Sequence, residues 1–210
     1  AMGGLHPAYE FVSRCLEAGK SVVTSNKELV AEKGAALLAL AKAHKVNFLF
    51  EASVGGGIPV LHPMMQCLAA NRFSEISGIL NGTTNFILTK MIREHMTFAD
   101  ALALAQQLGY AERNPAADVE GIDACRKICI LASIAFGHHI YPRFVHTEGI
   151  TQIALADVSY ADRAGYAVKL IGHADRQPDG RVNALVAPFL IPHGNPLSVV
   201  DDVFNAIMVT

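Results

Sequence analysis

The chain has 210 residues, of which 51% are hydrophobic and 17% charged, and its formal net charge is −2. That balance supports a buried core and excludes disorder by composition, while the lack of a Lys/Arg excess argues against a nucleic-acid partner. Apolar runs such as residues 128–136 fall well short of the roughly 20 residues a membrane span needs, and no basic-then-apolar leader opens the chain, so a soluble cytoplasmic protein is expected.

Residues 8–18 (AYEFVSRCLEA) have helical spacing and stop at Gly19. Residues 21–24 (SVVT) form a short β-branched run, Asn26 caps a helix over about 27–44, and residues 46–50 (VNFLF) make a second strand. Helix, strand, helix, strand is the rhythm of a doubly wound α/β sheet, here represented by its last units. No G-x-G-x-x-G follows a strand, and Gly55–Gly57 have the wrong spacing, so a dinucleotide fingerprint is expected upstream of residue 1.

Beyond Pro59 the pattern changes. Helices are predicted over 61–70, 84–94, 98–108 and 119–136, and a strand over 73–80. Two strands over 166–174 and 182–191 flank the turn-rich RQPDG, and a last strand covers 204–210. A mixed or antiparallel sheet covered by helices on one face is the expected form. Cys15 and Cys67 stand alone, and Cys125 and Cys129 share a helix without a CxxC partner, so reduced, ordinary cysteines are expected rather than a metal site.

Three clusters carry possible chemistry. Thr24-Ser25-Asn26-Lys27 lies at a strand end and a helix start, where anions are favoured; Lys27 meets a phosphate or carboxylate there, or is a solvated lysine beside a cap. Glu51-Ala-Ser-Val-Gly-Gly-Gly-Ile-Pro offers backbone oxygens to a hard cation or close approach to a cofactor; on spacing alone a plain flexible connection is favoured. The third cluster is the most specific: Gly109, Glu112, Asp118, Asp123 and Lys127. Asp123 and Lys127 are four apart on one helical face, as a surface ion pair would be. The helix around them is otherwise apolar, which suggests a polar pocket instead.

These clusters, with GGLHPAYE, VVTSNKELVA, FLFEASVGGGIPV, GILNGTTNFIL and LGYAERNPAADVEGIDACRK, resemble the homoserine dehydrogenase family over almost the whole chain. The resemblance implies an α/β fold in two parts: a C-terminal remnant of a Rossmann-type nucleotide-binding domain over 1–58, then a substrate-binding, catalytic and dimerisation domain over 59–210. It implies NAD(P)-dependent interconversion of L-aspartate 4-semialdehyde and L-homoserine, on the route to threonine and methionine.

By matching position, Lys127 looks like the proton donor and Lys27 a second contact near the reacting oxygen. Glu112 and Asp123 look like substrate holders, with Asp118 in support and Thr83 meeting the substrate. Thr24, Lys27 and Gly109 look like cofactor contacts. Glu51, Val54, Gly56 and Ile58 match a monovalent cation site, sodium by expectation, formed largely by backbone carbonyls. A homodimer is implied. A chain lacking the upstream fingerprint is expected to turn over poorly alone. A dehydrogenase of another amino-acid-derived aldehyde, or a non-catalytic dimerisation module, remains as an alternative.

Overall fold

The structure, a computed structural model, describes residues 2–210. Backbone contacts divide the chain into two compact units: residues up to Phe73 together with Cys129–Phe144, and Ser74–Ile128 together with Val145–Thr210. The sequence division after Ile58 follows the change of pattern; by compactness residues 59–73 and 129–144 go with the first unit.

In the first unit α1 (Ala8–Glu17), β1 (Val22–Val23), α2 (Lys27–Ala43), β2 (Phe48–Leu49) and α3 (Leu61–Met65) follow one another. β1 and β2 pair in parallel, Val22 with Phe48 and Val23 with Leu49. The Asn26 side chain caps α2 by accepting from the Leu29 N–H at 3.0 Å, and its amide donates to the Gly4 and Met2 carbonyls. Leu16, Leu29, Leu37 and Leu61 are fully buried. The helix predicted over 61–70 ends at Met65. Leu61 and Met64 are buried, but residues 65–70 are exposed, so no packed stripe sustains another turn.

The second unit is built on a five-stranded mixed sheet, with β3 (Glu75–Ile79), β4 (His146–Thr147), β5 (Tyr166–Arg176), β6 (Val182–Pro192) and β7 (Ala206–Val209) in the order β4-β6-β5-β3-β7. Only β4–β6 is parallel; β5 and β6 pair antiparallel from Tyr166↔Pro192 to Arg176↔Val182. Its helices are α4 (Gly82–Arg93), α5 (Phe98–Gln107), α6 (Ala116–Val119), the first half of α7 (Ile122–Phe136) and α8 (Leu155–Arg163). One face of the sheet packs so closely on α7 that a Cβ at Gly172 would lie 2.7 Å from Leu80 Cδ1 and 3.1 Å from Ile128 Cβ. On the other face Ile79, Ile171, Ile191 and Leu197 cluster beneath the turn Pro196–Val199. Both faces are therefore partly covered, where the sequence suggested one.

The long helix predicted over 119–136 is two helices. Gly121 has φ +82°, a left-handed conformation that ends α6 and lets α7 begin at Ile122. Two elements escaped the sequence reading. α8 is capped by the Asp157 carboxylate, which accepts from the Ala154 N–H at 2.8 Å, and β4 is only two residues long.

Candidate active site

The site of the second unit starts where β3 runs into α4. Asn81 is the N-cap residue of α4: its side-chain oxygen accepts from the Thr84 N–H at 2.8 Å and from the Thr84 hydroxyl at 3.0 Å. This anchoring turns the amide nitrogen away from α4. The same nitrogen donates to Asp118 Oδ1 at 2.7 Å and to Asp123 Oδ2 at 2.9 Å, joining α4 to α6 and α7.

One helical turn beyond Asp123, Lys127 Nζ lies 2.8 Å from Asp123 Oδ2 and donates to the Leu80 carbonyl at 2.8 Å. Asp123 is 3% exposed, Asn81 5%, and the Lys127 side chain 14%. Isolated charges at such depth are costly, and pairing with a second hydrogen-bond partner is the usual compensation. The pattern of a polar pair in an apolar helix is thus a buried ion pair, not a solvated surface bridge.

The loop after α5 closes on this site. Gly109 ends α5 with φ +79°, and a Cβ there would meet nothing within 4 Å, so the backbone conformation rather than crowding calls for glycine. Thr83 is buried and its hydroxyl donates to the Tyr110 carbonyl at 2.7 Å, while Phe86 and Tyr110 pack edge to face. The Glu112 side chain is exposed, and its carbonyl accepts from Gln106 Nε2 at 3.1 Å. Asp118, Asp123 and Lys127 therefore converge directly. Thr83 anchors the loop that carries Glu112, whose exposed carboxylate makes no ion pair with Lys127 among the described residues.

Asn81 and the Leu80 carbonyl were not singled out from sequence. The signal was present: an asparagine preceding a helix is a strong N-cap, but reading the helix from residue 84 instead of 82 hid it. A second polar network was also missed. The ammonium of Lys169, in the middle of β5 and 3% exposed, donates to Asn85 Oδ1 (3.1 Å), the Val200 carbonyl (2.6 Å) and Asp201 Oδ1 (3.1 Å). Burial pulls its pKa below the usual lysine value, against the partly compensating Asp201 carboxylate.

The remaining expected site residues lie in the first unit. Thr24 Oγ1 accepts from the Asn26 N–H at 3.1 Å, and Lys27 is the half-buried first residue of α2, whose N-terminus favours negative charge. Both Glu51 carboxylate oxygens are engaged by main-chain N–H groups: Oε1 accepts from Val60 and Leu61 at 2.8 and 3.0 Å, and Oε2 from His62 at 2.7 Å. The side chain thus caps α3, and its main-chain carbonyl accepts from the Val54 N–H. Among the described residues the Val54, Gly56 and Ile58 carbonyls accept no hydrogen bond, whereas both Glu51 carboxylate oxygens are taken up by main-chain N–H groups. No group of three or more His, Cys, Asp or Glu side chains among the described residues offers a side-chain metal site, and no helix is long and apolar enough to cross a membrane.

A nicotinamide-dependent oxidoreductase architecture is matched over both parts of the chain: residues 2–51 match the NAD-binding domain of homoserine dehydrogenase and residues 59–210 match the homoserine dehydrogenase domain proper. The chain belongs to the homoserine dehydrogenase family. A Synechocystis homoserine dehydrogenase is 45% identical over 212 residues, covering 100% of this chain and 49% of its own length. A crystal structure of the Thiobacillus denitrificans homoserine dehydrogenase superposes with a TM-score of 0.97 at 45% identity, covering 100% of this chain and 48% of that one. A hyperthermophilic archaeal homoserine dehydrogenase in complex with NADPH superposes with a TM-score of 0.82 at 32% identity, over 96% and 58% of the two chains. The chain spans about half the length of the curated relatives it matches.

Proposed function

We propose that this chain supplies the substrate pocket and proton-transfer lysine of an NAD(P)-dependent homoserine dehydrogenase, interconverting L-homoserine and L-aspartate 4-semialdehyde. The observation that carries the reading is the buried Asp123–Lys127 pair at 2.8 Å, with the Leu80 carbonyl as the second fixed acceptor of the same ammonium. An ammonium has three N–H donors. With two committed, the third direction is defined for a substrate oxygen.

A bound nicotinamide supplies or removes the hydride at the carbinol carbon. As the aldehyde is reduced, Lys127 Nζ stabilises the developing alkoxide and then gives it a proton. In the oxidation direction the neutral amine takes the hydroxyl proton, with Asp123 holding Nζ in place. The substrate's ammonium group suits the carboxylates of Glu112, Asp118 and Asp123, and Thr83 steadies the loop on which Glu112 is carried. Thr24 and Lys27 suit the cofactor side, Lys27 through its charge at the start of α2, and the left-handed turn at Gly109 leaves open space beside it. The NADPH of the archaeal relative supports a nicotinamide cofactor here.

The carbonyls of Val54, Gly56 and Ile58 suit a monovalent cation, sodium by the family resemblance, acting structurally. A homodimer agrees with the exposure of Leu190, Val199 and Phe204 in the second unit, and a cytoplasmic location with the chemistry of the substrate. The test is steady-state oxidation of L-homoserine by a dehydrogenase of full family length carrying this segment. Lys127→Ala is expected to lower kcat by about 10²–10⁴-fold, the usual worth of a positioned acid–base group. Retained turnover would remove Lys127 from the chemistry and leave a structural module.

A further inference from the structure

We infer that Asn81 is a positioning residue of the active site, its amide holding Asp118 and Asp123 together so that Asp123 presents a fixed oxygen to Lys127; the inference rests on the proton-transfer role of Lys127 proposed above. Capping alone does not call for asparagine. Asp, Ser and Thr serve an N-cap about as well as Asn, because the cap needs only an acceptor for the N–H two or three residues on. Here that acceptor is Asn81 Oδ1, bound to the Thr84 N–H and hydroxyl. These two donors also fix which end of the amide is oxygen, since the flipped amide would set an NH₂ against the Thr84 N–H and an oxygen against two carboxylates.

What asparagine alone adds is the NH₂. Its two hydrogens serve two carboxylates from different helices, Asp118 Oδ1 at 2.7 Å and Asp123 Oδ2 at 2.9 Å. Two carboxylates bound to one nitrogen lie within the ~4–6 Å over which like charges raise each other's proton affinity. The amide offsets that repulsion without bringing a charge of its own. Asp123 Oδ2 accepts from both Asn81 and Lys127, and this shared oxygen is the mechanical link between them.

The decisive variant is Asn81→Asp, tested in a dehydrogenase of full family length carrying this segment. It preserves size and capping but removes both donors and places a third carboxylate beside the pair. Expected are a fall in kcat for homoserine oxidation of about 10²-fold, a smaller effect on KM through the two carboxylates, and a pH–rate profile displaced to higher pH, because a further carboxylate favours the charged form of a neighbouring ammonium. Asn81→Ser, which caps but can donate to only one carboxylate, is expected to fall between. A kcat within about threefold of the parent and an unmoved profile in Asn81→Asp would overturn the inference, since this variant keeps the cap of α4 while removing both donors. Should Asn81→Asp fail to fold, Asn81→Ser decides: a loss of about tenfold or more in kcat supports the role, and parental kcat refutes it. Lys127→Ala run alongside separates the two levels. Its retained activity sinks the proton-transfer reading, whereas an inactive Lys127→Ala beside an undisturbed Asn81→Asp sinks the positioning role alone.

Discussion

Replacing Lys127 with Met tests the buried pair through stability, without any assay of turnover. The substitution keeps the aliphatic stem but deletes the ammonium that lies 2.8 Å from Asp123 Oδ2, leaving a carboxylate that is 3% exposed. Removing one partner of a buried pair costs about 3–5 kcal/mol, because the other charge stays desolvated. Asn81 still donates to the same oxygen at 2.9 Å, so the lower end, about 3 kcal/mol, is expected here. For a chain of this size that is a fall in Tm of about 6–12 °C, read by thermal unfolding at neutral pH.

Two further results follow from the same physics. With the ammonium gone, protonation relieves a buried carboxylate that has lost its cation, so the deficit against the parent is expected to shrink as pH falls. The double variant Asp123→Leu/Lys127→Met removes the stranded charge and is expected to be more stable than Lys127→Met alone. A single variant within about 1 kcal/mol of the parent, or a double variant no better than the single, would refute the reading of the pair as buried and mutually dependent.

Lys169 gives the pH dependence its sign. Its folded-state pKa is lowered by burial, so between that value and the ordinary 10.5 the unfolded chain binds more protons, and this group's contribution rises with pH across that window. The urea midpoint of the parent relative to Lys169→Met is therefore expected to climb through the alkaline range; a flat or falling difference would count against a desolvated ammonium. Gly121→Ala is expected to cost about 1–3 kcal/mol, because alanine is strained at φ +82° and its Cβ would stand 3.1 Å from Thr147 Cγ2. Chemical denaturation checks this, and an unchanged midpoint would mean the α6–α7 break does not require glycine.

What the sequence made legible is what local chemistry decides. The i, i+4 spacing put Asp123 and Lys127 on one face, and the apolar residues around them suggested a polar pocket rather than a surface pair. Asn26 announced α2 by capping, and the β-branched runs around RQPDG announced the β5–β6 hairpin. What stayed hidden depends on partners distant in sequence. Nothing near Asn81 says that its amide reaches Asp118 and Asp123, 37 and 42 positions on. At Glu51 the spacing alone favoured a plain flexible connection and the family resemblance implied a cation site, and only the return of the chain at residues 60–62 shows its carboxylate capping α3. The helix over 119–136 was overextended because its apolar periodicity runs through Gly121, and periodicity is blind to a reversed φ.

The buried polar side chains of α4 have one more effect. A helix lined with leucines can slide by a turn against its neighbours and recover much of its contact. α4 cannot, because Asn81, Thr83, Asn85 and Thr89 each answer a different group: two aspartates, the Tyr110 carbonyl, the Val200 and Phe204 carbonyls, and the Asp202 N–H. Displacement along the axis would break all of these at once. The helix behaves as a ratchet pawl with a single tooth position. The indexing of the chain at Asn81, and with it the location of the lysine's partner oxygen, is therefore set by polar partners rather than by apolar contact alone.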